Sequence, residues 1–139
     1  MTRPILLALL LVVQPLAAHS DDLQHVGDFH DVSSKDGGEH CAGYSLGLWK
    51  HRGRVLGLLD VHAGLCGDPP CAVINDAKLG PRTGRLEFWS SIQSQKIQFK
   101  GTMTPEAIDG EFNGERARLA RDRNRTSSNF EPNRNISAW

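Results

Sequence analysis

Three successive runs in the second half of the chain alternate apolar and polar residues without a break. In "KIQFKGTM" (96–103), Ile97, Phe99, Gly101 and Met103 fall on one side, and Lys96, Gln98, Lys100 and Thr102 on the other. In "IDGEFNG" (108–114), Ile108, Gly110 and Phe112 oppose Asp109, Glu111 and Asn113. In "GRLEFWSSI" (84–92), Leu86, Phe88 and Ile92 oppose Arg85, Glu87 and Trp89. A side-chain period of two is the signature of a strand with one buried and one wet face. No stretch of similar length carries a helical stripe, so this feature commits the chain to sheet.

The remaining runs fit the same plan. "AGYSLGLWK" (42–50), "RVLGLLDVH" (54–62), "AVINDAKL" (72–79) and "ERARLAR" (115–121) are separated from their neighbours by the short turn signals "HRG", "GPRT", "QSQ" and "TPEA". "VGDFHDVS" (26–33) supplies one further candidate strand, and "SKDGGEH" (34–40) reads as a loop or linker. Short links make sequential neighbours pair. The expected fold is therefore all-β: a small antiparallel meander forming a closed or partly open barrel of 7–8 strands. A two-sheet β-sandwich is the alternative. Glycines at 57, 101 and 110 lie on the inward face, where they permit the tight coiling that a small barrel requires. Closure also removes the exposed edges that a flat sheet leaves. The barrel is assigned to 41–121, with 21–40 as an acidic N-terminal segment and 122–139 as a mobile tail.

Residues 1–20 read as a secretory signal peptide. Arg3 precedes the apolar run Ile5 to Val13, and small residues follow at Ala17, Ala18 and Ser20. The apolar run is too short to span a bilayer, and no second one follows, so no membrane span is expected after signal removal. The predicted location is secreted or periplasmic. Charge is uneven, with net −5 over 21–40 and +3 over 115–139. No concentrated basic face results, which argues against nucleic acid as a partner.

An oxidising compartment favours disulfides. Cys66 and Cys71 flank the turn Gly67–Asp68–Pro69–Pro70, without the Cys-x-x-Cys spacing of a redox pair or the four ligands of a zinc site. The expectation is a Cys66–Cys71 staple, whose ring of six residues contributes about 2 kcal/mol. Cys41 is then odd: free, paired with one of the other two instead, or linking two chains.

Chemical motifs are few. His25, Asp28, His30 and Asp31 read as a solvated acidic lead-in rather than a metal site, and Asp109 and Glu111 read as solvent-facing. No nucleophile elbow, phosphate-cradling loop or metalloprotease pattern is present, so neither a catalytic residue nor a cofactor or metal is assigned. Trp49 and Trp89 fall opposite the core faces of their runs, which nominates them, with Arg85 and His62, as binding residues. Leu56 and Leu58 share a face with Asp60 and His62. Such a face serves as a contact surface, or is covered by the tail through Phe130 or Trp139. The leading expectation is a small exported, non-catalytic module that binds a protein or glycan, in the manner of an inhibitor of a hydrolase. A carrier of a small apolar ligand inside the barrel is the alternative, and a hydrolase is the third reading.

Overall fold

The structure is a computed structural model that describes residues 23–124. The segment expected to be a signal peptide and nearly all of the expected tail lie outside the described residues. Strands run through β1 (Gln24–His30), β2 (Ser33–Lys35), β3 (His40–His51), β4 (Arg54–Leu65), β5 (Cys71–Val73), β6 (Asn75–Leu79), β7 (Arg85–Ile92), β8 (Gln95–Met103), β9 (Ala107–Phe112) and β10 (Glu115–Arg121). A 3-10 turn occupies Asp36–Gly38. No helix among the described residues is long and apolar enough to cross a membrane.

All pairings are antiparallel. The order is β5-β4-β3-β1-β10-β9-β8-β7-β6, with β2 as a short flap on β3. The nine-strand sheet is nearly closed into a barrel with one unsealed seam. Tight hairpins drive the meander. Arg52–Gly53, Gln93–Ser94 and Asn113–Gly114 all take positive φ, as a two-residue hairpin turn that follows the strand twist demands.

Three features depart from the sequence reading. The acidic lead-in is no solvated appendage: β1 is inserted between β3 and β10, pairing Phe29 with Leu46 on one side and with Arg121 on the other. Phe29 is the reason, because its ring is buried among the barrel residues. The segment read as a loop at 34–40 begins and ends in strand. The run 72–79 divides at Ile74. Before it, Leu58 pairs with Val73 in β4–β5; after it, Asn75 pairs with Trp89 in β6–β7. This segment thus changes partner across the seam, held by the hydrogen bond from Ile74 N to Gly57 O at 3.0 Å. Ser90, wholly buried, donates from Oγ to Val73 O at 2.9 Å and ties β7 to the same segment.

The core follows the alternation. Leu46, Leu48, Leu59, Leu86, Phe88, Phe99, Ile108, Phe112 and Leu119 are buried together with Phe29 and Ile74. Phe99 lies at the centre, 4.8 Å from the Phe112 ring and 5.1 Å from Phe88. Gly101 and Gly110 face each other across β8–β9 beneath it. A Cβ on Gly101 would come within 2.3 Å of Asp109 O and 2.6 Å of Phe99 Cζ, so only glycine lets the strands approach and the ring seat.

The disulfide joins Cys41 to Cys66, with Cα atoms 4.9 Å apart, and Cys71 is free. The Cys66–Cys71 staple is therefore wrong. Cys41 pairs with Gly64 across the β3–β4 hairpin, and Cys66 N continues that pairing by donating to Glu39 O at 3.1 Å. The Pro69–Pro70 turn meanwhile carries Cys71 to the far edge of β4, opposite Asp60.

Candidate functional site

Four adjacent strands present a continuous outer face whose composition follows from register. Paired residues of an antiparallel sheet point the same way, so the outward side chains form rows across β1, β3, β4 and β5. His25, Trp49 and Leu56 make one row; Asp28, Gly47, Leu58 and Val73 the next. His30, Ser45, Asp60 and Cys71 make a third, with His62 beyond them beside Gly43. Over β1, β3 and β4 this face is hollowed into a groove of about 340 Å³ that includes Asp28, Ser45, Trp49, Leu58, His62 and Asp122.

Glycine shapes this groove. The Trp49 indole folds down over Gly47, where an added Cβ would lie 2.6 Å from the ring. The same indole stands 5.6 Å from the His25 ring, and His25 Nε2 is 3.2 Å from Asp28 Oδ2. Beside Trp49, the face is apolar and open: Leu56 is 39%, Leu58 41% and Val73 59% exposed. Strand parity fixes this exposure, since burying Leu59 and Gly57 forces their neighbours outward.

At the other end of the groove the chemistry is polar. Ser45 Oγ and His62 Nε2 lie 3.1 Å apart, and His62 Nδ1 is buried with no partner among the described residues. A hydrolytic serine needs a carboxylate at that second nitrogen to hold the imidazolium. Asp60 is two residues away on the same strand, but it accepts a hydrogen bond from the Cys71 thiol instead. Burial, then the hydrogen bond to Asp60 and its charge, push that thiol up to about 12. Cys71 is therefore a protonated, poorly nucleophilic thiol. Among the described residues no group of three potential ligands is placed to hold a metal. The arrangement offers apolar contact and hydrogen-bonding groups.

The four nominated binding residues separate into two places. Trp49 and His62 sit in the groove. Trp89 and Arg85 lie on β7, across the seam, in a different environment. Trp89 Nε1 donates to Asp76 Oδ2 at 3.1 Å, and Lys96 Nζ rests 5.2 Å from its ring centroid. Arg85 is engaged with Glu87 at 2.7 Å. The sequence reading put Ser45 on the outward side with Trp49 but did not nominate it for binding, and it missed Asp28 and Val73 as members of the face. Ser45 and Val73 follow from the same alternation that exposed Trp49 and Leu58, once the β3–β4–β5 register is known. Asp109 does face solvent, paired with Arg118 at 2.7 Å.

Comparison with protein-family models, with curated proteins and with solved structures found no match to this chain.

Proposed function

We propose that this protein is an exported, non-catalytic binding module whose outer β1–β3–β4–β5 face docks a protein partner. One observation carries the reading: Leu56, Leu58 and Val73 are all more than a third exposed, contiguous across two strand pairings, and flanked by Trp49. Apolar side chains exposed together, rimmed by polar groups, mark interaction surfaces, with aromatic anchors supplying much of the affinity. The aliphatic character of the patch favours a protein over a glycan, because sugar recognition relies on aromatic platforms with dense hydrogen bonding. Asp28, Asp60 and Asp122 rim the patch, so a partner with a basic rim meets complementary charge and associates faster at low salt. Export rests on the leader-like residues 1–20 together with the Cys41–Cys66 disulfide, which suits an oxidising compartment.

The test is quantitative capture from a native envelope or secreted fraction, comparing the natural chain with Leu58→Asp/Val73→Asp. Both positions are exposed, so the variant keeps its unfolding midpoint. A partner retained by the natural chain and depleted at least about tenfold with the variant supports the reading. Equal retention on both, or retention only on a glycan array, removes it.

A further inference from the structure

The open end of the seam holds a second site, on the opposite side of the sheet from the outer face. There the β3–β4 turn faces the end of β6, and the two sides are close without being hydrogen-bonded strands. They border an open cleft of about 740 Å³, within the range of small-molecule sites. Its inner wall is apolar, formed by Val55, Ala77 and Leu79, all partly buried against the core. The charged residues in its described lining are Lys50, Arg52 and Lys78.

Lys50 is the telling residue. It continues the inward series Leu46, Leu48, Lys50 and pairs with Val55 on one side and Gln24 on the other. Alternation therefore points a long cationic side chain into the barrel mouth, at a position where the pattern calls for an apolar one. Its ammonium has no ion pair or hydrogen bond among the described residues. An inward lysine with no carboxylate beside it among the described residues, above an apolar floor, matches a ligand that brings its own negative charge and a hydrocarbon body.

We propose that this cleft binds a small amphipathic anion, a carboxylate or phosphate head on a short alkyl chain. The head sits on Lys50 with Lys78 at the rim, and the tail lies against Val55, Ala77 and Leu79. Burial of each methylene tightens binding about fourfold, so affinity climbs with chain length until the cleft is filled. A charge-assisted hydrogen bond to Lys50 is worth about tenfold to a hundredfold.

Octanoate is the probe, titrated into the purified chain by calorimetry and by amide chemical shifts. Expected are saturable one-to-one binding, shifts centred on Val55, Ala77 and Leu79, and tenfold or greater weakening in Lys50→Met. Octanol, which lacks the charge, and acetate, which lacks the tail, bind at least tenfold more weakly. Octyl phosphate run beside octanoate shows which head the site prefers. Trp49→Ala leaves octanoate binding unchanged, which separates this site from the outer face. Absence of saturable binding, shifts confined to other strands, or equal affinity in a folded Lys50→Met variant overturns the proposal. Octanol binding as tightly as octanoate does the same.

Discussion

Removing the Cys41–Cys66 bond is the perturbation whose size the structure fixes most directly. The bridge spans a sequence separation of 25 residues. In the chain-entropy account, closing a loop of that length removes roughly 12 cal/mol/K from the unfolded ensemble, or about 3.5 kcal/mol at 25 °C. The shorter ring that Cys66 and Cys71 would have closed is worth only about 2 kcal/mol. Cys41→Ser/Cys66→Ser is thus expected to lose about 3.5 kcal/mol of a total that rarely exceeds 15 for a domain. With urea slopes of about 1–3 kcal/mol/M, the midpoint falls by about 1.2–3.5 M. Cys71→Ser, an exposed position, stays within about 0.5 kcal/mol of the natural chain. The assay is reversible urea unfolding followed by fluorescence of the three tryptophans, with non-reducing peptide maps to confirm the linkage. A double variant that loses less than about 1 kcal/mol, or a Cys71→Ser variant that loses as much, refutes the reasoning.

Other consequences are equally open to measurement. Gly101→Ala drives a methyl into Asp109 O and the Phe99 ring and is expected to cost about 1–3 kcal/mol or more, whereas Gly67→Ala, with nothing within 4 Å, stays near neutral; paired unfolding curves decide this. Ser90→Ala removes the shorter of two side-chain hydrogen bonds to Val73 O, leaving that from Asn75 Nδ2, and is expected to cost about 0.5–1.5 kcal/mol, read by the same curves. The Cys71 thiol, held up to about 12 against an ordinary 9.0, carries roughly a thousandfold less thiolate at pH 8. Its reaction with a disulfide reagent is therefore slow and accelerates only as pH rises towards 12. Asp60→Asn removes the acceptor and its charge, lowers the thiol pKa and speeds the reaction at pH 8; a natural chain that reacts like free cysteine contradicts this.

Alternation made the sheet legible because burial of one face leaves a signal at every second residue. It placed Leu59, Leu86, Phe99, Ile108 and Phe112 inside and Trp49, Leu56 and Leu58 outside. It read less well where the pattern is interrupted. The bulge between His25 and Gly27 breaks the period of β1, so 26–33 was legible as a candidate strand while its central place between β3 and β10 was not. The change of partner at Ile74 leaves no mark in composition, because both halves remain extended. The disulfide was closer to reach. Cys41 and Cys66 stand at similar distances either side of the Arg52–Gly53 turn, so extending the hairpin already recognised at "HRG" brings them together. Counting the nearest cysteines along the chain obscured that geometry. Of the site, Trp49 and His62 were legible from parity, but their separation from Trp89 and Arg85 depends on strand order, which local pattern does not encode.

Strand order and register decide which side chains share the outer face, and a slip of one residue would turn Trp49, Leu58 and Val73 inward. Interstrand backbone nuclear Overhauser contacts test both at once. Contacts are expected from Phe29 to Leu46 and Arg121, and from Leu58 to Gly47 and Val73. A spectrum that pairs β10 with β3 directly, or displaces Leu58 by one position against Val73, would contradict that order and register.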